Sequence, residues 1–126
     1  MGKMANLASR NILALFFIAP LSQITGLAAA DIAGPTKVID GDTIEIRGER
    51  IRLDAIDAPE SNQTCEADGQ PWRCGQQAAL ALADKIGAAN VNCEDRGHDR
   101  YDRTLAICYL GETDLNGWLV AEDWAL

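Results

Sequence analysis

Four stretches follow one another along this chain: Ile39-Asp40-Gly41-Asp42-Thr43, Ile51-Arg52-Leu53, Asp57-Ala58-Pro59-Glu60 and Asp99-Arg100-Tyr101-Asp102-Arg103. Carboxylates supply the oxygen ligands that suit a hard cation such as Ca²⁺, and arginine forks match phosphate oxygens bidentately. A carboxylate kept clear of the metal can take a proton from water. Acids and arginines together are therefore the parts for metal-assisted attack on a phosphodiester. Each stretch alone has a plainer reading. Asp-Gly-Asp is a common turn, Ala58 is extended because it precedes Pro59, and most arginines are solvated. The ordered set carries the inference.

These side chains need elements to position them. Strand-like alternation begins at Lys37-Val38-Ile39 and resumes at Thr43-Ile44-Glu45-Ile46-Arg47, with Ile44 and Ile46 on one face. A tight turn is expected at Gly48-Glu49. Arg50–Ile56 then returns with Ile51 and Leu53 inward and Arg52 on the other face. Ser61–Arg73 is polar and reads as a loop. Gln76–Ile86 has helical spacing in Ala79, Leu82, Ala83 and Ile86, and Gly87 is a natural stop. Asn90–Glu94 and Thr104–Tyr109 are short strand candidates joined by a charged segment. Asp114 is placed to cap a last helix through Leu115, Trp118, Leu119 and Glu122. No internal repeat or linker is visible.

The first thirty residues read as a secretory leader. Lys3 and Arg10 form a basic start, Ile12–Leu21 is apolar, and Ala28-Ala29-Ala30 offers small residues for cleavage before Asp31. The apolar run is short of the roughly twenty residues that span a bilayer. A signal peptide at 1–30 and one small domain at 31–126 are expected, with a secreted or periplasmic product. All four cysteines lie in the mature part, and an oxidising compartment permits disulfides. Of the three possible connectivities, Cys65–Cys74 is favoured by closeness in sequence and Cys93–Cys108 by facing across a hairpin. A zinc site competes poorly, since the spacings are wrong and only His98 could assist.

Charge argues against strong nucleic-acid binding. Losing Lys3 and Arg10 with the leader takes the formal charge from −8 to −10. Phosphate contacts dominate affinity for nucleic acid, so an acidic body predicts weak, transient association. Arg47, Arg50, Arg52, Arg96, Arg100 and Arg103 are the residues from which a local positive cleft could form. His98, in a charged run, reads as solvated. Trp118 reads as core, and Trp72 remains open as a base-stacking residue.

The ordered motifs resemble those of the staphylococcal-nuclease-like (thermonuclease) family, over nearly everything from Val38 onward. The resemblance implies an α+β fold, an OB-type five-stranded β-barrel with helices. It implies a Ca²⁺-dependent nuclease, with Asp42 and Asp57 as metal ligands and Glu60 as general base. Arg52 and Arg103 would hold the scissile phosphate and stabilise its transition state. Asp40, Thr43, Asp99 and Tyr101 are supporting residues, Asp40 through the metal's outer sphere and Tyr101 through phosphate or sugar. Relatives often have glycine where this chain has Asp102, and an acid there is expected to neutralise or hold Arg103. The family's further C-terminal helix has no counterpart, so the domain is expected to be C-terminally truncated. The implied substrate is DNA and RNA, single-stranded or frayed, cut to 3′-phosphorylated products by a monomer. A non-catalytic nucleic-acid-binding OB module, or an inactive truncated remnant, is the alternative.

Overall fold

The computed structural model describes residues 31–126. The signal peptide expected at 1–30 lies outside the described residues. Nine strands and two helices follow in the order β1 (Ile32–Gly34), β2 (Thr36–Asp40), β3 (Thr43–Ile46), β4 (Glu49–Leu53), β5 (Cys65–Ala67), β6 (Gln70–Trp72), α1 (Cys74–Ile86), β7 (Val91–His98), β8 (Thr104–Leu110), β9 (Thr113–Asp114) and α2 (Leu115–Ala121). The main sheet runs β1-β7-β8-β4-β3-β2, with β9 added to β8. Among the described residues only β4 and β8 pair in parallel; the other pairs of this sheet are antiparallel. The result is an OB-type arrangement of strongly paired strands with helices, whose hydrogen-bonded path does not close.

Alternation accounts for the centre of the sheet. Ile44 and Ile46 of β3 and Ile51 and Leu53 of β4 are fully buried, while Arg52 between them faces away. Leu82, Leu115, Leu119, Val91 and the Cys93–Cys108 disulfide fill the same core. The β3–β4 turn lies one residue earlier than expected. Ile46 pairs with Glu49, so the turn centres are Arg47 and Gly48, both with positive φ (54° and 79°). Two consecutive left-handed residues make the turn that matches the twist of a hairpin.

The segment expected to be a loop forms a small hairpin instead. β5 and β6 pair Cys65 with Trp72 around the turn at Asp68-Gly69, and a disulfide joins Cys65 to Cys74 at the start of α1. Polar composition hid the pairing, because an exposed hairpin has no buried face to reveal its period. Helix α1 starts two residues before the expected Gln76 and ends at Gly87 (φ 58°), as its sequence indicates. Its inner face is Ala78, Leu82 and Ile86, one position round from the expected Ala79 and Ala83, which are half-buried. Asp114 caps α2 by accepting from the Gly117 backbone N–H at 3.1 Å. Trp118 and Trp124 pack partly buried against the core.

Candidate active site

The β3–β4 pairing brings the first two motifs together. Thr43 lies opposite Arg52, and the Asp42 carbonyl accepts from Leu53 N–H at 2.8 Å. Asp42 is buried, and both its oxygens are engaged. Oδ1 accepts from the Thr43 hydroxyl at 2.9 Å and Oδ2 from the Ala58 N–H at 2.8 Å. Gly41 permits this closeness. A Cβ there would stand 2.8 Å from the Ala78 Cβ of α1 and 3.0 Å from the Ala58 Cβ. The Asp-Gly-Asp turn is thus clamped between the helix and the Asp57–Glu60 loop.

Arg52 joins the two acids named as metal ligands. Its Nη2 lies 3.4 Å from Asp42 Oδ2 and 3.4 Å from Asp57 Oδ1. Its Nη1 donates to the carbonyls of Leu53 (2.9 Å) and Ile56 (2.8 Å), which fixes the plane of the guanidinium. The Asp57 side chain is 84 % exposed, so one face of this trio is open to solvent. Asp57 itself is held through its backbone: its N–H donates to the Leu126 carbonyl and its carbonyl accepts from the Leu126 N–H, both at 3.0 Å.

Glu60 is exposed, and its carboxylate makes no hydrogen bond or ion pair among the described residues. Its backbone is fixed on both sides. The Glu60 carbonyl accepts from Gln63 N–H at 2.8 Å and rests directly against the Gly75 Cα, where a Cβ would collide with it. Asp40, expected in the outer sphere of the metal, is engaged by protein hydrogen bonds. Its Oδ1 accepts from both the backbone N–H and the hydroxyl of Ser61, so Asp40 anchors the residue after Glu60.

The second arginine is delivered by β8, which runs parallel to β4 with Arg52 opposite Leu105. Arg103 stands just before that strand. Asp99 organises the preceding loop: Oδ1 accepts from the backbone N–H groups of Tyr101 and Arg103, both at 2.9 Å, and Oδ2 from Arg103 Nε at 2.8 Å. Partial burial pushes the Asp99 carboxyl up, but the hydrogen bonds from the Arg103 and Tyr101 backbones and the Arg103 guanidinium overcome it. The carboxyl is held below its ordinary value. Asp99 therefore holds Arg103, the part expected of Asp102. Asp102 sits at φ 62°, a left-handed position that glycine tolerates freely and aspartate tolerates moderately.

With Nε committed to Asp99, neither Nη of Arg103 has a partner among the described residues. Arg52, Arg103, Arg100 and Tyr101 line one groove of about 310 Å³. Tyr101 is 68 % exposed, with the Arg100 and Arg103 guanidinium carbons 5.6 and 5.5 Å from its ring centre. Only half of the six arginines expected to form a cleft meet here; Arg47, Arg50 and Arg96 are exposed elsewhere. His98 is exposed, with its Nε2 3.5 Å from the Thr104 hydroxyl, and does not line the groove.

The donor set fits a hard cation in kind. Asp42 and Asp57 are carboxylates of the oxygen type that Ca²⁺ takes; Asp57 is open to water, while Asp42 is buried with both oxygens already accepting hydrogen bonds and Arg52 lies between the two. No cluster of three or more His, Cys, Asp or Glu is arranged for a metal among the described residues, so carbonyls and water would have to complete such a shell. Zinc has no support there, because every cysteine is in a disulfide.

Sequence reasoning missed Ser61, Gly75 and Leu126 as parts of the site. Ser61 acts through its backbone N–H and hydroxyl, Gly75 through close approach and Leu126 through its backbone.

The chain is similar to several curated proteins. The chain is 45 % identical over 96 residues to the succinoglycan biosynthesis protein ExoI of Rhizobium meliloti (strain 1021), covering 74 % of this chain and 50 % of that protein. It is 33 % identical over 94 residues to an uncharacterized endonuclease of Haemophilus influenzae, covering 71 % and 48 %. To the micrococcal nuclease of Shigella flexneri it is 37 % identical over 87 residues, covering 65 % and 45 %. The chain spans about half the length of these curated relatives. Residues 50–126, from the second residue of β4 to Leu126, match the family described as staphylococcal nuclease homologue. The chain belongs to that family.

Proposed function

We propose that this chain is a Ca²⁺-dependent phosphodiesterase that hydrolyses single-stranded or frayed DNA and RNA outside the cytoplasm. The observation that best supports this is the shared groove of Arg52 and Arg103. Arg103 is turned by Asp99 so that both its terminal nitrogens are unpaired, and the exposed Asp57 and Glu60 belong to the loop that follows Arg52. A phosphate in that groove would meet the Arg52 and Arg103 guanidinium groups, with the Asp57–Glu60 segment following directly on the groove-lining residues Leu53–Ile56.

In this reading Arg52 and Arg103 orient the phosphate and take up charge as the phosphorus becomes five-coordinate. Glu60 accepts a proton from water as the water oxygen bonds to phosphorus. The bond from phosphorus to the 5′ oxygen breaks, and that oxygen leaves with a proton from solvent. One product ends in a 3′-phosphate and the other in a 5′-hydroxyl. Asp42 and Asp57 would hold Ca²⁺, which when bound polarises the phosphate and lowers the pKa of water. Nothing along the groove resembles a device for reading base edges, so little base specificity is expected.

Two disulfides favour an exported protein, and no helix among the described residues is long and apolar enough to cross a membrane. Monomeric action after removal of 1–30 is part of the proposal.

The test is cleavage of denatured DNA by purified, oxidised protein, with Ca²⁺ and then with a Ca²⁺ chelator. Chelator-sensitive cleavage is expected. Glu60→Gln should lose roughly 10²–10⁴ in rate while keeping Ca²⁺ affinity. A near-normal rate in that variant would remove Glu60 from the mechanism. The rival reading, a binding module without catalysis, draws on the acid excess of the mature chain. Nucleic-acid binding unaffected by chelator and without turnover would favour it.

A further inference from the structure

A second cavity, of about 550 Å³, adjoins the candidate site and is unlike the arginine groove in charge. The loop after β4 serves both. Leu53–Ile56 line the arginine groove, and Asp57–Glu60 line this cavity. The cavity holds no lysine or arginine; its charged groups are Asp57, Glu60 and Asp123. Its remaining wall includes Trp72, Trp124 and the Cys65–Cys74 disulfide. Trp72 is 40 % exposed on the β5–β6 hairpin, a two-stranded ribbon too small to be stable alone. The disulfide ties that ribbon to the first residue of α1.

We infer that this cavity binds one unpaired nucleobase of the substrate strand, stacked on Trp72, beside the phosphate held by Arg52 and Arg103. The inference rests on the nuclease reading for its substrate, but its binding test does not need turnover. Charge selects the occupant. An acidic rim repels phosphate, so the uncharged part of a nucleotide is what can enter while its phosphate stays with the arginines. An aromatic face accepts any base, and stacking is sequence-tolerant. A base inside a duplex cannot reach Trp72 without leaving its partner, so the subsite also favours unpaired strands.

The test uses the full chain carrying Glu60→Gln, so that the probe survives, with fluorescein-labelled tetrathymidylate in Ca²⁺. Adding Trp72→Ala should weaken binding roughly tenfold or more, and Trp72→Phe should restore most of it. Replacing each thymine in turn by an abasic site should abolish the Trp72→Ala effect at one position only. Oligonucleotide should also quench tryptophan emission, and Trp72→Phe should remove most of that quench. Equal affinity in parent and Trp72→Ala, or the same loss with every abasic probe, would overturn the subsite. So would a dimer buried on this face that oligonucleotide does not disturb. If the native chain cuts denatured DNA and Trp72 proves irrelevant, only the subsite falls. If nothing is cut but Trp72-dependent binding is measured, the subsite stands and the nuclease reading falls.

Discussion

Asp57 and Leu126 exchange a reciprocal pair of backbone hydrogen bonds, both 3.0 Å long. The pair ties the segment after α2 to the loop that carries Asp57, Pro59 and Glu60. Ala125 is buried beside it, whereas the Leu126 side chain is 93 % exposed. Leu126 therefore acts through its main chain. Leu126→Pro removes one donor and should cost about 1 kcal/mol in denaturant unfolding, together with a severalfold loss in Ca²⁺ affinity. Leu126→Ala should stay within about 0.5 kcal/mol of the parent. Indistinguishable behaviour of the two variants would show that the bridge does not position Asp57.

Gly75 is held to glycine by the Glu60 carbonyl rather than by its own backbone. It lies in the first turn of α1 without positive φ, and elsewhere an alanine there would favour the helix by about 1 kcal/mol. Here the new methyl meets backbone, which cannot swing aside as a long side chain can. Gly75→Ala should push the Glu60 loop outward. Misplacement by about an ångström can cost on the order of a hundredfold in rate, so a fall of at least tenfold in turnover is expected. Asp42 does not touch Gly75, so most of the Ca²⁺ affinity should remain. Calcium titration beside single-turnover cleavage separates the two effects, and an unchanged rate would deny Glu60 its role.

The architecture was legible where one face of an element is buried. Ile44, Ile46, Ile51 and Leu53 announce the central hairpin, and the Asp114 cap and Gly87 stop bound their helices. The exposed β5–β6 hairpin was not legible, because pairing without burial leaves no period in the residue types. The site divides in the same way. Carboxylates and arginines announce themselves by chemistry, but contacts between chain segments do not. Ser61 on Asp40, Gly75 against Glu60 and Leu126 on Asp57 are such contacts. That Asp99 rather than Asp102 holds Arg103 has the same origin. Sequence places an acid beside Arg103, while the loop's return decides which acid faces it.

Asp99 offers a pH-dependent test of that assignment. Its carboxyl, half-buried and bonded to Arg103 Nε and two backbone N–H groups, is held below the ordinary value of 3.8. The folded protein thus binds this proton less tightly than the unfolded chain. The stabilisation is present above 3.8 and is lost as acid protonates the folded carboxyl at lower pH. Asp99→Asn removes this titration. Between about pH 5 and pH 2 the variant should therefore lose less stability than the parent, measured by denaturant midpoints at each pH. At neutral pH the same variant frees Arg103 Nε, so KM for oligonucleotide should rise and turnover should fall. Asp102→Asn, which removes the acid that faces no arginine, should alter neither the acid limb nor KM appreciably. A variant pair with the opposite ranking would return the role of holding Arg103 to Asp102.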